Sequence, residues 1–387
     1  MSSNPRTARL LLQDGSHFTG VAFGAESTRV GEVVFNTGMV GYLESMTDPS
    51  YAGQILAFTY PLIGNYGVPA KGARDSYGLP LQMESESIQP RGIAVQEACA
   101  YPSHWASART LSQWMASEGV PGIASVDTRA LVTKIRQFGV MMGVISTEDQ
   151  DYTSLQTLLS KAESYDSMKL VDGASTKSPL VYGDGDASVV LIDCGAKLGI
   201  VRNLLERGYR VVRLPFNSSY SKVMSYDPVG VVVSNGPGDP ALCKDTVKTA
   251  ARLIEGEIPM LGICLGEQIV GISQGATTFK LKYGHRGQNK PCVDLTTGRG
   301  YVTSQNHGYS LDHKSLKETD LTAWFINSDD LTVEGVEHKN RPCIAVQFHP
   351  EASPGPYDTT FVFSRFDSAI QEWTGRVKGE AIRSLRT

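Results

Sequence analysis

Residues 258–272 read Ile258-Pro-Met-Leu-Gly-Ile-Cys264-Leu-Gly-Glu-Gln268-Ile-Val-Gly-Ile272. An apolar strand runs straight into a nucleophilic side chain flanked by Gly262 and Gly266, and the chain then continues as a helix. Glycines at these positions relieve crowding in a sharp strand-to-helix turn, which presents the residue at its apex on the helix N-terminus. There, unpaired N–H groups and the positive end of the helix dipole favour thiolate over thiol, and the N–H of Leu265 faces the place where an oxyanion would develop. The competing reading of Cys264 is a buried structural thiol at a strand end.

The alternation of strand and helix extends outward from this turn. Ser188–Asp193 predicts a strand, 198–207 a helix closed by Gly208, and 210–214 a second strand, which together make a βαβ unit. Two more short apolar strands, 229–234 and Met260–Ile263, are each followed by a glycine-bearing turn and a helical segment. Antiparallel-looking pieces follow at 301–304, 321–327 and 343–348, and then a helix over about 359–373. The first third is β-rich, with strands expected at 8–12, 20–23, 32–36 and 54–60. Helical signals are fewer there. The clear ones are 107–118 and 127–138, the latter capped by Asp127 and closed by Gly139. Residues 175–187, STKSPLVYGDGDA, have the composition of a linker. The expected organisation is an N-terminal domain over 1–174, a linker over 175–187 and a second domain over 188–387. The fold class is α/β, with a C-terminal mostly parallel sheet flanked by helices and a β-rich mixed N-terminal domain.

Composition narrows the function classes. The chain has 387 residues, enough for two domains, and its 36 Lys plus Arg against 40 Asp plus Glu leave a net charge of −4 with no basic block. That balance speaks against nucleic-acid binding. The apolar runs fall short of the roughly 18 residues of a membrane span, and Leu10, Leu11 and Leu12 are too few for the core of a signal peptide. A cytoplasmic, non-membrane protein is expected. The six cysteines, at 99, 194, 243, 264, 292 and 343, form no Cys-x-x-Cys pair, so neither a metal site nor a disulfide framework is expected.

A cysteine nucleophile calls for a base held by a third group. His349 lies at the end of an apolar strand in Gln347-Phe-His-Pro-Glu351, where Pro350 stiffens the link to a carboxylate able to fix the imidazole tautomer. His307, in Gln305-Asn-His-Gly-Tyr309, is the rival for that role. The turn Ser234-Asn-Gly-Pro-Gly-Asp-Pro240 can aim backbone N–H groups inward as a nest for a carboxylate or oxyanion. No glycine precedes a lysine, so a Walker A loop is absent, and no Gly-x-Gly-x-x-Gly follows a strand.

Gly-Ile-Cys264-Leu-Gly-Glu-Gln268, His349-Pro-Glu351 and Asn-Gly-Pro-Gly-Asp-Pro together resemble the motifs of the class I (triad) glutamine amidotransferases. Thr37-Gly-Met-Val-Gly-Tyr, Thr47-Asp-Pro-Ser-Tyr51, Tyr60-Pro-Leu-Ile-Gly-Asn-Tyr-Gly, Asp127-Thr-Arg-Ala-Leu, Tyr283-Gly-His-Arg-Gly-Gln-Asn and His349-Pro-Glu-Ala-Ser-Pro-Gly-Pro are similar to the carbamoyl-phosphate synthetase small chains. The resemblance covers nearly the whole chain. It implies Cys264 as nucleophile, His349 as base and Glu351 as its partner. It also implies glutamine contacts at Ser50, Gly236, Gly238, Leu265, Gln268, Asn306, Gly308 and Tyr309, with Ser50 supplied by the N-terminal domain. Glu267 stands where relatives often have His, and Tyr309 where they often have Phe.

The reaction implied is hydrolysis of L-glutamine to glutamate and ammonia through a glutamyl thioester, with the N–H groups of Leu265 and Gly238 holding the oxyanion. No cofactor is expected in this chain. ATP and Mg, with bicarbonate, would be used by a large synthetase chain that receives the ammonia and docks mainly on the N-terminal domain, in a heterodimer or higher oligomer. Rival readings are a glutaminase subunit serving another synthase, a non-catalytic regulatory subunit, and a hydrolase of the same fold acting on peptides or γ-glutamyl compounds. Whether the product feeds pyrimidine or arginine synthesis is not written in the sequence.

Overall fold

Ser188–Asp193, Gly230–Val233 and Met260–Ile263 are buried along their whole length, as strands of a parallel sheet covered on both faces are. With Arg210–Pro215 and Cys343–Val346 they form the parallel centre of a ten-stranded sheet. Antiparallel strands extend both edges: Leu180–Tyr182 on one side, and Val333–His338, Leu321–Asn327, Thr278–Asp294 and Gly300–Leu311 on the other. The helices Leu198–Glu206, Lys244–Glu255 and Leu265–Ser273 each bury an apolar face. Side chains of the last two helices and of the strands form one continuous core, including Val190, Val231, Leu253 and Ile269.

The structure, a computed structural model, describes residues 6–384, with side chains as far as residue 376, so the outermost residues of both expected domains lie outside it. It divides between Leu170 and Val171 into two units. In the first unit a seven-stranded closed barrel runs in the order Thr7–Leu12, His17–Gly24, Pro121–Ala124, Gly92–Ala94, Gln54–Phe58, Thr28–Asn36 and Met141–Ser146. Its core packs Trp114 and Met115 of the helix Leu111–Ser117 against Phe23, Leu56 and Ile93. Among the described residues no helix is long and apolar enough to cross a membrane.

Several boundaries differ from the sequence reading for local reasons. The helix expected from 107 begins at Leu111, because Ala108 N–H and Arg109 carbonyl are both engaged by Val68 and Thr110 closes a capping box with Gln113. The expected linker is not free chain. Leu180–Tyr182 pairs with 211–213 of the neighbouring strand, and a Cβ at Gly185 would stand 2.1 Å from Gly208 O. Its glycines serve tight turns beside an edge strand. The strands Thr278–Asp294 and Val333–His338 were not foreseen. The first is long but bulged, with register shifts after Lys280 and Gly287, and its polar residues break the alternation that marks a strand.

The turn at Cys264 depends on two backbone approaches. A Cβ at Gly266 would stand 2.0 Å from Val233 O, and one at Gly262 would stand 2.7 Å from Gly266 O. Gly266→Ala is therefore expected to cost about 3 kcal/mol or more, at or beyond the upper end of ordinary overpacking. Gly173 lies in the helix Leu170–Ala174 with nothing within 4 Å of a built Cβ, so Gly173→Ala is expected to be neutral or to stabilise by up to about 1 kcal/mol. Denaturant unfolding of the two variants checks the contrast.

Candidate active site

Each parallel strand ends at the same edge of the sheet, which is where ligands bind in open α/β sheets. Ile192 is level with Val233, Val233 with Gly262, and Ile263 with Val346. The residues that follow those ends, Asp193, Ser234, Cys264 and Gln347 to His349, are thereby gathered on one edge.

Cys264 sits at φ 56° and ψ −104°, a conformation that a residue with a side chain rarely adopts. Its N–H donates to Val346 O at 2.8 Å, and its carbonyl accepts from Glu267 and Gln268, the first bonds of the helix Leu265–Ser273. Sγ lies 3.8 Å from Asn306 O in a buried position. Cys264 is thus fixed by main-chain bonds to a strand and a helix, and its Sγ faces the strand Gly300–Leu311.

His349 is buried and donates from Nδ1 to Glu351 Oε1 at 2.7 Å, while its Nε2 is buried with no hydrogen-bond partner. That leaves Nε2 available for proton transfer. Both ring nitrogens of His307 instead face oxygens, Nδ1 that of Tyr309 at 2.8 Å and Nε2 that of Gln305 at 3.2 Å. Burial, with His285 and the Arg286 guanidinium adding to it, pushes the His307 imidazole well below its usual range. Of the two candidate bases, His349 is the one whose second ring nitrogen has no hydrogen-bond partner.

A residue absent from the sequence reading completes the arrangement. Lys197 Nζ lies 2.8 Å from Glu351 Oε1, with both side chains almost wholly buried. Burial pushes the Glu351 carboxyl up, but Lys197 and His349 outweigh it and hold the group well below the usual carboxylate range. The loop that places Lys197 is itself tied down. Asp193 Oδ1 accepts from the N–H groups of Gly195 and Ala196, its Oδ2 binds Arg213, and Lys197 N–H donates to Asn235 Oδ1 at 3.0 Å. The only signal for Lys197 in the sequence is a lysine in a glycine-containing turn after an apolar strand, and that pattern does not separate a buried lysine from a solvated one.

The expected glutamine contacts divide between the units. Leu265 and Gln268 lie on the helix behind Cys264, and Gln268 Nε2 donates to Tyr309 O at 2.8 Å. Asn306, Gly308 and Tyr309 follow one another along Gly300–Leu311. Gly238 has φ 88°, and a Cβ at Gly236 would stand 2.1 Å from Cys194 O, so the loop 235–238 is pressed against the turn that carries Lys197. Ser50 belongs to the first unit, in the turn Pro49–Tyr51, where its N–H donates to Asp48 Oδ1 at 2.9 Å. Glu267, beside Gln268, is fully buried, and burial together with the negative charge of Glu334 pushes its carboxyl well above the usual range.

These two carboxyls give opposite pH signatures. Glu351, with its depressed folded pKa, adds stability that is complete above the unfolded value of about 4.3 and is lost on acidification. Lys197→Met leaves that carboxylate poorly compensated, at an expected cost of about 3–5 kcal/mol at neutral pH and with a shallower acid loss than the parent chain. Glu267 keeps a proton that the unfolded chain releases, so its contribution declines as pH rises above about 4.3. Glu267→Gln should remove that slope and be the more stable protein at alkaline pH. Urea midpoints measured across pH test both, and a Lys197→Met chain as stable as the parent would refute the first.

Comparison with known proteins places this geometry. Residues 10–145 match the family described as carbamoyl-phosphate synthase small chain, CPSase domain, and residues 190–369 match glutamine amidotransferase class-I. The carbamoyl phosphate synthase small chain of Pyrococcus furiosus is 49% identical over 94% of this chain and 97% of its own. That of Saccharolobus solfataricus is 46% identical over 93% of this chain and 97% of its own. The arginine-specific small chain of Chaetomium globosum is 46% identical over 96% of this chain and 80% of its own. With both domains matched in order and the likeness running through nearly all of its length, this chain belongs to the carbamoyl phosphate synthase small chain family and carries that family's class-I glutamine amidotransferase domain.

Proposed function

We propose that Cys264, His349 and Glu351 carry out the glutamine hydrolysis of this small chain, a reading supported chiefly by the buried His349 imidazole, bonded to Glu351 through Nδ1 and open at Nε2. Cys264 gives its thiol proton to His349 Nε2, and Sγ attacks the side-chain amide carbon of glutamine. The N–H groups of Leu265, at the helix start, and Gly238 stabilise the oxyanion. His349 Nε2 passes a proton to the departing nitrogen, which leaves as ammonia, and the glutamyl thioester remains. Water deprotonated at the same nitrogen then attacks the thioester carbonyl, releasing glutamate and restoring the thiol. Glu351 keeps the proton on Nδ1 and stabilises the imidazolium that forms, and Lys197 holds Glu351 ionised.

Gln268, Asn306, Gly308, Tyr309, Gly236 and Ser50 are proposed to bind the substrate. Ammonia is protonated in neutral water and loses its nucleophilicity, so it is useful only if delivered to an acceptor. The partner is the large chain of the synthase, which would supply the site using ATP, Mg and bicarbonate, with the N-terminal unit making most of the interface. The six cysteines, all free, accord with a reducing cytoplasm.

The test is glutamate release from glutamine by this chain, alone and with a synthase large chain plus ATP and bicarbonate. Cys264→Ala and His349→Asn are expected to lose on the order of 10^4-fold in kcat. Ser50→Ala and Gln268→Ala are expected to act mainly on KM, by about tenfold each, as loss of a hydrogen bond to a charged ligand does. Stimulated release that persists in Cys264→Ala would remove the thiol from the mechanism.

A further inference from the structure

Behind the strand that carries Asn306 and Tyr309 lies a second cluster of titratable groups that the hydrolysis does not use. His285, His307 and Glu334 are all buried and offer ligand atoms within 4.8 Å of one another. They come from three strands, Thr278–Asp294, Gly300–Leu311 and Val333–His338. The outward ring nitrogens are satisfied: His285 Nε2 meets Asp330 Oδ2 at 2.9 Å, and His307 Nδ1 meets Tyr309 O at 2.8 Å. The inward atoms converge. His285 Nδ1 is 3.3 Å and His307 Nε2 4.0 Å from Glu334 Oε1, and His307 Nε2 is 3.2 Å from Gln305 Oε1.

Protons leave a conflict at His307. With its Nδ1 proton on Tyr309 O, a neutral His307 turns a lone pair toward the oxygens of Gln305 and Glu334. The 3.3 Å separation of His285 from Glu334 exceeds the usual N–H···O distance of about 2.9 Å. Asn327 Nδ2, which donates to Glu334 Oε1 at 3.0 Å, also lies 3.5 Å from His285 Nδ1, so a proton on that nitrogen would set donor against donor.

A cation would give the His307 Nε2 lone pair and the oxygens of Gln305 and Glu334 a common partner. Zinc bonds of about 2.0–2.1 Å in a tetrahedron put ligand atoms about 3.3 Å apart. The 3.2 and 3.3 Å edges already match, the 4.0 Å edge needs to contract by several tenths of an ångström, and the two imidazole nitrogens, within 4.8 Å of each other, must also draw in. A carboxylate and a backbone carbonyl on the outward N–H groups are the partners that orient metal-binding imidazoles. Two nitrogens and two oxygens in a closed, buried setting suit zinc, whereas magnesium and calcium demand six or more oxygens. Glu334 and the adjacent Asp330 also balance a divalent charge.

We propose that His285 Nδ1, His307 Nε2, Glu334 Oε1 and Gln305 Oε1 bind one zinc ion, which staples the three strands behind Asn306 and Tyr309. The ion is structural and takes no part in proton transfer at Cys264.

The experiment uses the full chain, stripped by a chelator, reloaded with Co2+ or Zn2+ and desalted. Expected are one metal ion per chain by elemental analysis, the visible d–d bands of tetrahedral Co2+, and a higher thermal midpoint with Zn2+. His285→Asn and Glu334→Gln should each weaken binding by about tenfold or more, while Cys264→Ala keeps both bands and stoichiometry. The cobalt spectrum of the unaltered chain needs no variant to fold. Substoichiometric metal without d–d bands overturns the proposal and leaves His285 as an imidazolium between two carboxylates. Bands that survive both variants, or that vanish in Cys264→Ala, also overturn it by placing the ion elsewhere.

Discussion

The closeness of two backbones at Gly266 is the constraint on which the second unit turns. Val233 O comes so near the start of the helix Leu265–Ser273 that no side chain fits between them. That approach brings the helix onto the strand ends, and the chain can enter it only through the strained conformation at Cys264, φ 56°. The strain is sustained by main-chain bonds, from Cys264 N–H to Val346 O and from the first helical N–H groups to Cys264 O. A thiol so held has little freedom to relax away from a substrate, and the helix N-terminus beneath it supplies the positive field that a thiolate and an oxyanion need.

Around that turn, charge is buried in compensated sets. Lys197 and Glu351 lie almost wholly out of water at 2.8 Å, and Arg213 and Asp193 meet at 2.7 Å. Isolated, each of these groups would be expensive to desolvate. Paired, they do different work: Asp193 and Arg213 fix the loop that carries Lys197, Lys197 keeps Glu351 ionised, and Glu351 holds the His349 ring. Glu267 is the counter-example, a carboxyl with no cation beside it that burial keeps protonated. The same sheet edge thus holds carboxyl groups in opposite states, set by neighbours rather than by residue type.

Legibility in the sequence followed the strength of the local pattern. The buried parallel strands stood out because strands covered on both faces are continuous apolar runs, and the helix Thr128–Phe138 because Asp127 and Gly139 mark its ends. The bulged strand Thr278–Asp294 escaped notice because its polar side chains are bought by tertiary hydrogen bonds that no window of sequence displays. Leu180–Tyr182 escaped for a related reason, since the glycines and aspartates around an edge strand look like those of a linker.

By itself the sequence determined the strand-turn-helix at Cys264, the His349-Pro-Glu351 pair and the α/β class, because glycine spacing, apolar runs and neighbouring residues are local properties. Only the tertiary structure left His349 Nε2 without a partner while setting both ring nitrogens of His307 against oxygens, brought Lys197 to Glu351, and clustered His285 and His307 with Glu334. Those outcomes depend on which strand ends lie side by side and on how far each group is removed from water. Neither is encoded in the spacing of the residues along the chain.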